Sequence, residues 1–188
     1  DPPDTMAADF SAAFVTVGDP CLMSYTPVYD IQGSGLTPAV TGSVVTMGVV
    51  VGDNEGASPA LRGFYLQDLS GDGNTATSDG IFVFNGNNNS VSLGDVVRVT
   101  GSAADFQGQT QISSVSSIVS CGTASVEPVD VTLPFDSATS AEQYEGMLVR
   151  LKELPMQCRQ AWQAVMGFEL PANYTDVDKV VVLGMGGS

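Results

Sequence analysis

The sequence predicts a mainly β protein, a small barrel or sandwich with one helix and a final strand at its C-terminal end. Three observations carry that prediction. Runs rich in Val, Ile, Phe and Thr recur between clusters of Gly, Asn, Asp and Pro. The 21 Gly and 10 Pro punctuate the 188 residues too often for long helices. One segment alone, within 153–168, has apolar residues at convincing helical spacing. The length suits one ordinary domain or a smaller one with extensions. The chain divides into an N-terminal extension (1–26), a β region (27–152) and a helix-plus-strand tail (153–188).

Within the extension, "FSAAFVTV" can form an edge strand through either alternating set, Phe10, Ala12 and Phe14 or Ala13, Val15 and Val17. Regular punctuation begins at residue 43. "SVVTMGVVVG", "RGFYLQD", "GIFVFNG", "GDVVRVTG" and "QTQISSVSSIVS" are five strand-like runs, and "EPVDVTLPF" and "EGMLVRLK" add two more. Between those two, "DSATSAEQYEG" reads as a loop or one helical turn. Gly42, Gly48, Gly52 and Gly101 lie in or beside strands, where bulges and coiling would close a small sheet. In the tail, "ELPMQCRQAWQAVMGF" puts Cys158, Trp162, Val165 and Met166 on one helical face, with Pro155 in the first turn and Gly167 near the stop. A Val-rich strand follows, ending in Gly-rich "GMGGS".

Charge and composition narrow the chemistry. Six basic residues face 21 acidic ones, a net charge of −15. Nucleic-acid phosphates would be repelled, divalent cations attracted, and the plain alternative is a solvated acidic surface. There is no His, so Ser-His-Asp and Cys-His nucleophile systems are excluded, as is imidazole ligation of zinc. Cys21, Cys121 and Cys158 are too far apart for a Cys-x-x-Cys motif. In an oxidising compartment Cys21 and Cys121 can pair and leave Cys158 over; three buried thiols are the alternative. With no long apolar run, no membrane span is expected. The opening "DPPDTMAADF" lacks the charged and apolar regions of a signal peptide, as a mature secreted chain would. Asn88 and Asn173 head glycosylation sequons.

The richest candidate site is "DLSGDGNTATSD". Asp68, Ser70, Asp72 and Asn74 recur at positions 1, 3, 5 and 7 of a calcium loop, with Gly73 at 6 and Asp79 at 12. A hard cation wants several oxygens converging on a point, and alternate side chains of a sharply bent loop supply them. Position 12 is Asp rather than the longer Glu, and β-like runs flank the loop, so an EF-hand fold is not implied. The alternative is a metal-free loop whose Asx turns satisfy its backbone. A bound Ca2+ is expected to order the loop rather than to catalyse, since no acid or base accompanies an open coordination position. In "VGDNEGASP", Asp53, Asn54 and Glu55 read as a hairpin loop with a lesser claim on a metal, and "FNGNNNS" reads as a turn. Phe64, Tyr65, Phe82 and Phe84 sit at strand spacing, either as core or as a base-stacking face, with Arg62 and Arg98 the basic residues near them.

Taken in order, "YTPVYDIQGSG", "GVVVG", "GFYLQD", "GDGNTATSDGIFVF", "LGDVVRVTG", "QTQI", "LPF" and "YEGMLVRL" resemble the OB-fold-like module that precedes the catalytic domain of large secreted bacterial nucleases. The resemblance covers roughly residues 25–152. It implies an extracellular OB-like barrel, with nucleic-acid binding as an accessory role. Nuclease activity does not carry over, because no cluster of His, Asp and Asn suited to phosphodiester cleavage is present. The tail, "LPMQCRQAWQAVMGFELPANYTDVDKVVVLGMGGS", is similar to the segment opening the sugar-isomerase domain of bifunctional phosphoglucose/phosphomannose isomerases. There "GMGGS" approaches a sugar phosphate at a helix start. The remaining sheet, helix and acid-base residues have no counterpart after Ser188, so no isomerase is expected.

The expectation is therefore a secreted, non-enzymatic, calcium-stabilised β module with a structural or self-assembly role. Its terminal strands, marked by Phe10, Phe14, Val180 and Val182, would add to the sheet of a neighbouring copy and build a filament. The alternative is a nucleic-acid-binding accessory domain of an extracellular nuclease.

Overall fold

A computed structural model describes residues 18–152 and 154–167, the side chains of 154, 155 and 157 excepted. The described residues fall into two compact units, 18–129 with 134–150 and 130–133 with 151–152 and 154–167. Among the described residues, seven strands match the seven strand-like runs: β1 (Gly42–Asn54), β2 (Gly63–Gln67), β3 (Gly80–Phe84), β4 (Asp95–Phe106), β5 (Gln109–Thr123), β6 (Val129–Val131) and β7 (Val149–Leu151). The helices are α1 (Val28–Gln32), α2 (Ala138–Glu142) and α3 (Leu154–Met166).

The first five strands pair in the order β1-β2-β3-β5-β4, and β4 returns to β1, so the ladder closes on itself. All pairs are antiparallel except β3 with β5, which run parallel through Phe82↔Gln111 and Val83↔Ile112. Closure removes the exposed edges that an open sheet would present. Long strands make it feasible: β1 lends its first half to β4 and its second half to β2, with a bulge between Val50 and Gly52 where it changes partner. A second irregularity falls between Thr100 and Ser102. There a Cβ on Gly101 would lie 2.5 Å from Ile112 Cγ2 and 2.8 Å from the Ser113 carbonyl, so only Gly admits the approach of β5.

Alternation sorts each strand into two faces. Val44, Val50, Phe64, Leu66, Ile81, Val83, Val97, Val99, Ala103 and Ile112 point inward as one core cluster. The same cluster takes in Val28 and Ile31 of α1, both wholly buried. The short α1 escapes a sequence reading because five residues hold too little periodicity to register. Its start after Pro27 and its end at Gly33, where φ is 71°, are nonetheless conventional helix boundaries. The four aromatics divide as alternation requires. Phe64 enters the core, while Tyr65 and Phe82 meet across β2 and β3 on the outer face, ring centroids 5.0 Å apart.

The disulfide joins Cys21, in a 3-10 turn at Pro20–Leu22, to Cys121 near the end of β5 (S–S 1.99 Å). That corrects the alternative of three buried thiols, since Cys158 is free and exposed. Arg98 of β4 binds the same leader, donating to the carbonyls of Met23 at 2.8 Å and Ser24 at 2.7 Å. β6 and β7 form a separate two-stranded sheet. In α3 the face containing Trp162, Val165 and Met166 is exposed. No described helix is long and apolar enough to cross a membrane. Phe10, Phe14, Asn173, Val180 and Val182 lie outside the described residues.

Candidate metal loop and its surroundings

Residues 68–79 connect β2 to β3, and the Asp68 N–H donates to the Asp79 carbonyl at 2.8 Å, closing the loop at its neck. The sharp bends fall at Gly71 (φ 60°) and Gly73 (φ 71°), a backbone region that residues with a Cβ rarely adopt. Between the bends the polar side chains turn onto the loop's own backbone. Asp68 Oδ1 accepts from the N–H groups of Ser70 (3.1 Å) and Gly71 (3.2 Å). Asp72 Oδ1 accepts from Asn74 N–H (2.8 Å), and Asn74 Oδ1 from Ala76 N–H (3.1 Å). Thr77 Oγ1 lies 3.1 Å from Asp72 Oδ2 and 3.0 Å from the Asn74 carbonyl. These are the Asx turns of a metal-free loop, present in full.

Asp79 breaks the pattern. Its Oδ1 is buried and has no hydrogen-bond partner. Its Oδ2 leans over Gly71, where a Cβ would intrude to 2.5 Å. Burial, then the negative charges of Asp72 and Asp68, raise its pKa above the ordinary carboxylate range, and a backbone N–H from Asp72 pulls the other way. The fold thus gathers Asp68, Asp72 and Asp79 within electrostatic reach of one another and supplies too few donors for the last. Ser70 and Asn74 share the loop but are exposed, with the Asn74 side chain committed to its Asx turn. Among the described residues, no group of three or more His, Cys, Asp or Glu is placed to hold a metal ion. Binding one would require Asp68 and Asp72 to exchange backbone donors for the ion. The orphaned oxygen of Asp79 fits a cation, which would replace repulsion with attraction. A cavity of about 170 Å³ adjoins it, lined by Asn74, Thr77 and Asp79 on one side and Val129, Tyr144 and Met147 on the other.

The second acidic stretch is built differently. Glu55, between β1 and β2, reaches the β3–β4 connection and accepts from Asn85 Nδ2 (2.5 Å), Ser90 N–H (2.6 Å), Val91 N–H (3.0 Å) and Ser90 Oγ (3.1 Å). Burial is the largest single influence on its pKa and acts upward, but these donors together outweigh it and hold the pKa below the usual range. Glu55 is a clamp between two loops. The turn at 84–90 is real, and the exposed Asn88 uses its amide to donate to the Asn85 carbonyl at 2.8 Å.

A third feature lies beyond the reach of sequence reasoning. Residues 137–149 run as a strap beside the candidate loop. The Glu145 carbonyl accepts from Ser78 Oγ (2.7 Å), and its carboxylate accepts from Thr110 N–H (3.1 and 3.3 Å). Leu148 N–H donates to Gln67 Oε1 at 2.8 Å. Gly80 lies against the backbone of Gly146 and Met147, too close for any Cβ. Nothing local marks Glu145 as the partner of a backbone group 35 positions away.

On the outer face of β2 and β3, the Arg62 guanidinium lies 5.1 Å from the Phe84 ring centroid. Arg62 has φ 66°, and its Nε is buried without a partner. Comparison with known protein families and with curated proteins finds no match to this chain.

Proposed function

We propose that this chain is a secreted, non-enzymatic OB-like barrel module, stabilised by Ca2+ in the 68–79 loop and serving a structural or self-assembly role. The observation that carries the ion is the buried, partnerless Oδ1 of Asp79 beside two further carboxylates. Asp68, Ser70, Asp72, Asn74 and Asp79 would be its ligands, and the ion would supply charge neutralisation and order rather than catalysis. A strand order of β1-β2-β3-β5-β4, closing on β1, supports the OB-like reading. Secretion draws support from the Cys21–Cys121 disulfide and the acidic surface. Self-assembly would use the terminal strands around Phe10, Phe14, Val180 and Val182, since the closed sheet offers no edge of its own. Isothermal titration with CaCl2 is expected to give about one ion per chain. No heat of binding up to millimolar calcium would refute the ion. Removal of residues 170–188, with both forms examined by light scattering and electron microscopy, tests assembly, and monomers in both forms would refute it.

Nucleic-acid binding is the second reading, favoured by Arg62, Tyr65 and Phe84 on the outer face of β2 and β3. Two observations weigh against it. Phe82 is only 5% exposed and offers little ring for stacking, and the net charge is −15. A DNA titration at two salt concentrations separates the readings, with no measurable binding expected.

A further inference from the structure

The strap at residues 137–149 is held by few groups, and one of them is a titratable carboxyl in an unusual place. Ser137 opens α2 with a reciprocal capping box to Ser140, and the helix ends where Glu142 and Glu145 stand three positions apart. Beyond it the chain turns at Gly146 (φ 71°), which presses on Gly80 and Ile81 of β3. The Glu145 carboxyl is thereby set at the start of β5, where Thr110 N–H has moved beyond the short parallel pairing of β3 with β5. Tyr144 stacks on Phe135 at 5.7 Å within the same segment.

The charged groups facing this carboxyl have its own sign. Glu142 of α2 acts on Glu145 directly, and Asp105 of β4 acts on Glu142. The groups that offset them are neutral donors, the Thr110 N–H and the Gln32 amide of α1. Gln32 also donates from Nε2 to the Gly80 carbonyl at 2.5 Å, so it ties the same corner of β3. A half-buried carboxyl pair with two neutral donors and a like charge nearby is easiest to accommodate with one proton shared between its members.

We propose that residues 137–149 form a pH-operated strap, seated on the β3–β5 seam while Glu145 holds its proton and loosened when Glu145 ionises. The electrostatics agree with the geometry. Burial, then Glu142, push the Glu145 pKa up to about 7, and burial also raises Glu142. A carboxyl whose pKa is raised on seating binds its proton more tightly in the seated state. Seating is therefore favoured in acid and weakens by up to about tenfold per pH unit between the ordinary carboxylate range and the raised value. Above that value the loss is complete and constant. Because Ser78 and Gly80 anchor the strap and end the 68–79 loop, loosening would free the loop's return leg as well. The strap operates with or without an ion in that loop.

The test follows backbone amides by NMR from pH 5 to pH 9 in chelator-treated protein. In the wild type the Thr110 and Leu148 amide shifts are expected to titrate with a midpoint near 7. Exchange protection of Leu148, corrected for intrinsic rates, is expected to fall as the pH rises to about 7 and to level off above it. In Glu145→Gln, which keeps a neutral group of the same shape, the titration should vanish and protection should be equal at pH 5.5 and pH 8.5, no lower than that of the wild type at pH 5.5. Glu142→Gln removes the neighbouring charge and should move the midpoint lower, which serves if Glu145→Gln does not fold. A wild-type midpoint in the ordinary carboxylate range, no titration at all, or an unchanged profile in either variant would overturn the proposal.

Discussion

Two acidic loops hang on the same closed sheet and treat their carboxylates in opposite ways. Glu55 is met by four donor contacts from Asn85, Ser90 and Val91, and its pKa falls. Asp79 has a buried oxygen with no donor, two carboxylates for neighbours, and its pKa rises. Both stretches are rich in Asp, Asn and Gly, so composition alone does not separate them. What separates them is how many donors the surrounding fold brings to the carboxylate, several for Glu55 and a backbone N–H from Asp72 for Asp79, whose Oδ1 has none. Where the donors suffice, the loop is complete without an ion; where they fall short, the proposed Ca2+ would make up the difference.

The broadest way to break this contrast is to loosen the frame that carries both loops. Replacing Cys21 and Cys121 by Ser opens a closure spanning 100 positions. By chain entropy that costs about 4 to 5 kcal/mol. Urea unfolding should register the loss equally with and without calcium, because the staple serves both loops alike. A smaller effect is expected from Asp79→Asn. In the wild type, calcium at about a hundred times its dissociation constant should add about 2.7 kcal/mol. The variant should lose that increment while unfolding no more easily than the wild type in chelator, since it removes a poorly solvated charge.

Glu55→Gln should behave in the reverse manner. Weakening a charged acceptor of several N–H groups costs about 2 kcal/mol whether or not calcium is present. The pH dependence sharpens the point. A carboxylate whose folded pKa is depressed contributes stability above its unfolded value and loses it as pH falls through the folded one. The gap between wild type and Glu55→Gln should therefore be full at pH 7 and close below about pH 4, as read by chemical denaturation at each pH. The smallest effect belongs to Ser70→Ala, an exposed position. It should change calcium-free stability by less than about 0.5 kcal/mol and weaken calcium binding only a few-fold, measured by titration.

Much of this fold was legible in the chain. The seven strand-like runs and the helix before Gly167 depend on local patterning. The Cys21–Cys121 pairing was one of two readings that the spacing left open, and the fold decides it. The choice between core and stacking face for the aromatics was left open by the sequence; alternation puts Phe64 in the inner cluster, while the buried Phe82 packs against Tyr65 on the opposite face. What escaped is long-range. The roles of Glu145 on Thr110, Gln67 on Leu148 and Glu55 on Ser90 join residues 35 to 81 positions apart. Each uses a side chain whose identity is unremarkable in its own neighbourhood. The five residues of α1 were missed for a different reason, since one helical turn buries its apolar side through tertiary packing rather than through any repeat.

The contrast between the two loops meets its most direct test in a thermal unfolding series at pH 7, run in chelator and in excess CaCl2, on the wild type, Asp79→Asn and Glu55→Gln. The midpoint of the wild type and of Glu55→Gln is expected to rise by several degrees with calcium, and that of Asp79→Asn to stay where it is. Equal midpoints for the wild type in the two buffers, or a calcium shift that survives in Asp79→Asn, would contradict it.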